Sequence, residues 1–327
     1  MEPATGEPAE NLDAAARTLT ELDDAAWALA AFTHLVSSGA LTEAGLSLSS
    51  PDDQAAARTL EAVGLVVEEG RDLRMTAGLA DLCSTGVLET WREGTMSSLR
   101  QIAAVVGILP ADDSDGWATA DDATLLAQGR SSALGGRMLA GFGVPGLDGL
   151  AERFSGGGAF LDVGVGVGEL AAAFCETLPA SRVVGIDVLP RALALAQSTI
   201  EERGLKERIE LRLQGVQDLD DVDRFDLAWM PAPFLPEDVF GAGVARVRDA
   251  LRPGGWLAVG AGRLDGDPLA VAVTRWKTLR AGGTALAADD ARAVLEAAGF
   301  VEFGVVPTPP GAPALYVARK AQSPSPT

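Results

Sequence analysis

Phe160-Leu161-Asp162-Val163-Gly164-Val165-Gly166-Val167-Gly168-Glu169-Leu170 is an apolar run that enters a glycine-rich turn and leaves it as the start of a helix. Glycines in such a turn let a ligand lie against backbone N–H groups at a helix N-terminus, and in an open α/β sheet that place is the carboxyl edge where ligands bind. The glycines alternate at 164, 166 and 168. A dinucleotide site of the G-x-G-x-x-G type needs its third glycine at position 169, which holds glutamate, so an NAD ligand is disfavoured.

Outward from this turn, strand-like runs at 159–163, 182–186, 209–213, 225–229 and 255–259 alternate with helical stretches at 168–178, 190–203, 237–252 and 289–298. That alternation predicts a parallel sheet with crossover helices. Asp187 closes the second strand, where its carboxylate can accept hydrogen bonds from both ribose hydroxyls of an adenosine ligand. Asp162 and Asp187 together flank the glycine turn, a pairing that points to a site rather than to two unrelated strand ends.

Residues from about 159 to 319 resemble the Rossmann-like core of class I S-adenosylmethionine (SAM)-dependent methyltransferases. The resemblance rests on the Asp-x-Gly-x-Gly-x-Gly turn at 162–168, on Asp187, and on the third strand leading to Gly215-Val216. It rests also on Phe225-Asp226-Leu227-Ala228-Trp229, on Leu251-Arg252-Pro253-Gly254-Gly255, and on a closing helix with strands either side of Pro307-Thr308-Pro309-Pro310. It implies an α/β fold with a Rossmann-like seven-stranded methyltransferase core, binding SAM and releasing S-adenosyl-L-homocysteine. Asp162, Gly164, Gly166 and Gly168 would hold the amino-acid part of the cofactor, Asp187 the ribose, Val188 the adenine face and the Val216 amide the adenine edge. Gly215 departs from the family, which often has an acidic residue there for the adenine amino group; Gln214 and Gln217 are the nearby substitutes.

Ahead of the core, apolar positions from Leu12 to Ser37 recur at helical spacing until Ser38-Gly39, and Ser50-Pro51 opens a second helix that ends at Gly64. Two short strands flank Glu69-Gly70-Arg71-Asp72, so helices followed by a hairpin predict a mainly helical, winged-helix-like domain over 11–90. Acidic Asp52 and Asp53 stand where phosphates would approach, which favours a dimerisation role over DNA binding. Residues 91–150 read as a helical linker covering the cleft, broken at Pro110, Gly116, Gly135-Gly136 and Pro145-Gly146; 151–320 is the core. Residues 1–10 and 321–327 lack apolar periodicity and read as disordered.

The chain of 327 residues carries 46 Asp+Glu against 26 Lys+Arg, a formal charge of −20 that repels nucleic acid and anionic membranes. Lysine occurs only at Lys206, Lys277 and Lys320, and no basic patch offsets the balance. Cys83 and Cys175 have no metal-ligand spacing and read as reduced, buried thiols; no metal is expected. No signal peptide is legible at Met1–Thr5, and no apolar run reaches the roughly 18 residues of a membrane span, so a cytoplasmic protein is expected.

The winged-helix start joined to this core is similar to the dimeric small-molecule O-methyltransferases of secondary metabolism. That resemblance implies a homodimer, a small aromatic or peptide-like acceptor, and a catalytic histidine after the fourth strand. Counting back from Pro253 puts Pro233 at that position, and the only histidine, His34, lies in the first helix. The base is therefore unassigned, with Glu237 and Asp238 as candidates, or the acceptor needs none. Trp117, Gln128, Arg130, Trp229 and Phe234 are candidate pocket residues; Trp229 could face the sulfonium, and the Pro231-Ala232-Pro233 turn reads as a rigid apolar wall. The missing histidine leaves a second reading open, a regulatory protein that binds SAM without catalysis.

Overall fold

The computed structural model describes residues 8–84, 88–108, 116–308 and 312–322. The break expected at Pro110, the turn prolines Pro309-Pro310, and most of both ends expected to be disordered lie outside these residues. The chain divides into two compact units, residues 1–99 and 100–327.

The first unit opens with α1 (Pro8–Ser37), which begins three residues before the expected helical domain. It continues through β1 (Leu41–Thr42), β2 (Gly45–Leu46), α2 (Pro51–Ala62), β3 (Val66–Glu69), β4 (Asp72–Met75) and α3 (Ala77–Ser84). Two antiparallel pairs result, β1 with β2 and β3 with β4. The start of α2 is fixed by a reciprocal cap: Ser50 Oγ accepts from the Asp53 amide at 3.0 Å while the Asp53 carboxylate accepts from the Ser50 amide at 3.1 Å. His34 Nε2 stands 3.0 Å from the same carboxylate, so the single histidine ties α1 to the start of α2. Leu35, Leu41, Ala57, Leu60 and Cys83 fill the core of this unit.

Helix α4 (Leu88–Val105) runs through the division between units. After it come α5 (Asp122–Met138), a π-turn at Leu139–Gly143, α6 (Val144–Gly146) and α7 (Leu150–Ser155). Gly135 and Gly136 do not break the chain as expected; they lie inside α5. Their role is close approach. A Cβ on Gly136 would stand 2.2 Å from the Leu170 carbonyl oxygen, and one on Gly129 would stand 2.1 Å from Val167 Cγ2. At Pro145-Gly146 the helix does end as expected: α6 stops at Gly146, and Pro145 sits in its first turn, where the missing N–H costs little.

The sheet then alternates with helices as expected: β5 (Ala159–Val163), α8 (Glu169–Thr177), β6 (Arg182–Asp187), α9 (Pro190–Glu202), β7 (Ile209–Leu213), β8 (Phe225–Pro231), α10 (Glu237–Ala250) and β9 (Leu251–Ala261). Beyond it lie α11 (Pro268–Arg280), α12 (Ala288–Ala297), β10 (Phe300–Val306) and β11 (Ala314–Lys320). Helix α11 was not anticipated, although Asp267 caps it through the Ala270 amide and Pro268 occupies its first turn, both legible start signals. The seven strands run β7-β6-β5-β8-β9-β11-β10, with β11 antiparallel to both neighbours and the rest parallel. Phe160, Leu227 and Ala258 face α8 and α9 on one side, while Leu161, Ala228 and Val259 face α10 and α12 on the other. The chain leaves β5 toward β6 on one side and returns to β8 on the other. The ends of β5 and β8 are therefore the switch point where an open α/β sheet leaves a crevice.

The glycines of α5 give a paired test. Gly136→Ala is expected to destabilise by about 1–3 kcal/mol, because its methyl meets backbone. Gly135→Ala, whose methyl would lie 3.6 Å from Leu170 Cδ1, is expected to be neutral or stabilising by up to about 1 kcal/mol from helix propensity. Thermal unfolding of both variants measures the difference.

Candidate functional site

The alternate spacing of the glycine turn follows from its geometry. Val165 and Val167 are buried, anchoring the turn in the core, while Gly164, Gly166 and Gly168 take φ values of 68°, 54° and 83° that side chains rarely adopt. Valines face inward, and the Gly164 and Gly166 backbone is left toward solvent. Room for Val165 comes from Gly185 in β6, where a Cβ would stand 2.6 Å from Val165 Cγ2. Glu169, at the place of a dinucleotide site's third glycine, is buried and ion-paired to Arg203 at the end of α9. It locks α8 to α9 and so is structural. The sequence reading missed this partner because it lies 34 residues away.

The end of β6 ties down the turn. The Ile186 carbonyl accepts from the Gly164 and Val165 amides at 2.9 and 3.0 Å, and Asp187 Oδ2 accepts from the Gly166 amide at 2.9 Å. Asp187 Oδ1 accepts from the Leu189 amide, also at 2.9 Å. Burial pushes the Asp187 carboxyl up, and these backbone donors partly offset it. Asp162 is buried, and its Oδ2 has no hydrogen-bond partner among the described residues. Burial, with the nearby Asp187 charge, pushes the Asp162 carboxyl up to about 8. A buried carboxyl lacking a partner is costly unless a cation or donor meets it.

After β7, Gly215 starts a short 3₁₀ turn, Val216–Asp218, whose Val216 side chain is buried against α10. Gln217 folds back over Gly215, where a Cβ would stand 2.5 Å from its Nε2, and Gln214 Nε2 donates to the Asp218 carbonyl. Val188, next to Asp187, is 60% exposed. After β8 a second 3₁₀ turn, Ala232–Phe234, carries Phe234 into edge-to-face contact with Trp117, the ring centroids 5.5 Å apart. Its start meets the glycine turn: a Cβ on Gly164 would be 3.6 Å from Pro231 Cγ.

Residues 160–255 match the family model of the methyltransferase domain. These residues form a class I methyltransferase domain. Among curated relatives, the release factor glutamine methyltransferase of Cereibacter sphaeroides is 33% identical over 52% of this chain and 61% of its own length. The erythromycin 3''-O-methyltransferase of Saccharopolyspora erythraea is 30% identical over 34% of this chain and 36% of its own. The chain thus spans less than two thirds of the length of the curated relatives it matches. Among solved structures, the S-adenosylmethionine-dependent methyltransferase SibL superposes with a TM-score of 0.66 at 18% identity, over 94% of this chain and 99% of that one.

The cofactor of class I methyltransferase domains is SAM, and the cradle suits it. Asp162 offers an unpartnered buried carboxyl to an ammonium, Asp187 retains acceptor capacity on both oxygens, and Val188 is open to an adenine face. The second unit brings Trp117 and Phe234 together, as neither position alone revealed. Gln128, half-buried, and Arg130, exposed, flank the Gly129 contact of α5 with Val167 of the turn. The Trp229 indole lies across Gly260 of β9, where a Cβ would be 2.2 Å from its Cη2, and packs into the α8-side core. Glu237 and Asp238 are exposed in the first turn of α10. Far from this edge, buried Asp226 is held by Arg153, Arg252 and the Ala159 amide, a clamp on the opposite end of the sheet that spacing could not disclose.

Two outcomes are expected from calorimetric titration with SAM. Asp187→Ala loses acceptors for the ribose and the Gly166 amide together, weakening binding by about 1–3 kcal/mol. The Asp162 folded-state value lies above that of the unfolded carboxyl, so the free protein loses stability as pH rises from about 4 toward 8. A cofactor ammonium favours the ionised carboxylate, so binding near neutral pH releases a proton and tightens as pH rises toward 8. Titration in buffers of different ionisation enthalpy reads this release, and its absence would detach Asp162 from the cofactor.

Proposed function

We propose that the protein transfers the methyl group of SAM to a small molecule, an aromatic or peptide-like secondary metabolite. The observation carrying this reading is the buried, unpartnered Asp162 carboxyl beside Asp187 across the alternating glycine turn. SAM, when bound, supplies an electrophilic methyl on a sulfonium. The chain's own part is to orient cofactor and acceptor and exclude water, which can supply most of the acceleration for a single in-line displacement. His34 is engaged with Asp53, and Pro233 occupies the position at which the resemblance to small-molecule O-methyltransferases implies a histidine. The reaction then proceeds by proximity and desolvation, on an acceptor that is easily ionised or intrinsically nucleophilic.

The charge of −20 argues against nucleic acid as acceptor, and the match to an erythromycin O-methyltransferase supports a small molecule. The first unit, with α2 followed by the β3–β4 hairpin, fits a winged-helix-like dimerisation domain. Exposed Leu19, Leu22 and Trp27 on α1 are the apolar surface a homodimer would cover. Buried free Cys83 and Cys175 agree with a reducing, cytoplasmic setting. The absence of a histidine at 233 also supports a second reading, a regulatory protein that binds SAM without turnover.

Incubation with methyl-labelled SAM and a panel of phenols, amines and carboxylates tests the choice. Label appearing in an acceptor with turnover is the expected result; SAM binding without any transfer would favour the regulatory reading. The Glu237→Gln, Asp238→Asn double variant is expected to keep kcat within about tenfold. A loss of about 100-fold or more would identify a general base there.

A further inference from the structure

The indole of Trp117 carries a feature that the methyl-transfer reading leaves unused. Its Nε1 is buried and has no hydrogen-bond partner among the described residues. A buried donor without a partner is penalised, and one that persists beside a candidate site is a place where a ligand's acceptor atom would be stabilised. Trp117 belongs to a 3₁₀ turn, Gly116–Thr119, and meets Phe234 edge to face with an interplanar angle of 76°. Phe234 in turn belongs to the Ala232–Phe234 turn that follows Pro231, which lies against Gly164 of the cofactor cradle.

That turn is braced from behind. The Thr284 amide donates to the Ala232 carbonyl at 2.9 Å, and Thr284 Oγ1 donates to the Leu235 carbonyl at 2.8 Å. Phe234 itself is 38% exposed. Trp117 and Phe234 thus form a perpendicular aromatic corner on a fixed support, one contact removed from the glycine turn. Such a corner offers a face and an edge to a planar ring, and its lone polar atom is a donor.

We infer that Trp117 is a specificity-determining residue: its indole N–H donates to an uncharged acceptor oxygen on the methyl-accepting substrate, selecting planar aromatic acceptors that carry a ring-conjugated carbonyl. The inference rests on the methyl-transfer reading and narrows its substrate class. A site built around a hydrogen bond rejects an analogue lacking the partner more strongly than an apolar site rejects a change of size, because the donor is then left unpaired.

The test uses the full chain loaded with S-adenosylhomocysteine and labelled with nitrogen-15 at the indoles, the Trp117 cross-peak being assigned by its loss in Trp117→Phe. The probes are meta-hydroxyacetophenone and meta-ethylphenol, similar in size and differing in the carbonyl. The carbonyl probe is expected to bind about tenfold more tightly and to move the Trp117 N–H resonance downfield, whereas in Trp117→Phe the two probes should bind alike. A carbonyl preference that survives in Trp117→Phe, equal binding of the probes to the unaltered protein, or a Trp117 resonance that neither probe moves would each overturn the assignment. The loading step separates the two levels: failure to bind S-adenosylhomocysteine would defeat the functional reading, whereas a loaded protein with an unresponsive Trp117 defeats only this inference.

Discussion

The Ile186 carbonyl accepts two amides of the glycine turn, and the Asp187 carboxylate next to it accepts a third from Gly166. Through these bonds the exit of β5 is held by the end of β6, the strand beside it in parallel register, Val163 against Ile186. The turn could not otherwise keep three glycines at positive φ, since their freedom makes them the most costly residues to order. The buried Val165 and Val167 complete the anchoring from below, and Gly185 exists to let Val165 in. Backbone toward the ligand and side chains toward the core is therefore a single arrangement, produced by alternating glycine with valine.

The same anchoring sets up the electrostatics. Asp162 shares the carboxyl edge with Asp187 because β5 and β6 end together, and its burial follows from its central strand, flanked by β6 and β8. Two carboxyls brought close in a poorly solvated place cannot both ionise at ordinary cost, so one retains a proton until a cation arrives. The opposite end of the sheet shows the other solution. Asp226 is equally buried but has Arg153 and Arg252 as fixed partners, so its charge is spent on holding strands together. A buried acid with built-in cations is a clamp, and a buried acid without them is a receptor.

This contrast explains what was legible in the sequence. The bounds of β5 and β7 and the start of α10 follow from local signals, namely apolar runs, glycines and an acidic first turn, and the structure keeps them. The placement of Asp162 and Asp187 beside the glycine turn was legible because each closes or nearly closes a strand that local signals mark. The glycines at 135 and 136 were misread as a break because the reason for them lies on another helix, at the Leu170 carbonyl. Glu169 with Arg203, Asp226 with Arg153, and Trp117 with Phe234 were equally out of reach, each pair being joined only by the fold. The glycine turn is written in one contiguous stretch; the Trp117–Phe234 contact is assembled from separate elements.

The surface charge bears on turnover as well as on partners. A net charge of −20 is screened within about 8 Å at physiological salt, so only carboxylates close to the cradle act on a bound ligand. Asp162 and Asp187 stand at the cradle, and in the proposed reaction they would favour a cationic sulfonium over the neutral thioether that remains once the methyl has gone. Their attraction therefore weakens as transfer completes, which opposes trapping of the product. It also opposes loss of positive charge in the transition state, so the acceleration has to come from alignment and the exclusion of water rather than from these carboxylates. In the proposed reaction the cradle is thus a device for capture and release, and the rate would reside in the walls around the acceptor, for which the Pro231–Phe234 turn, braced by two hydrogen bonds from Thr284, is the candidate.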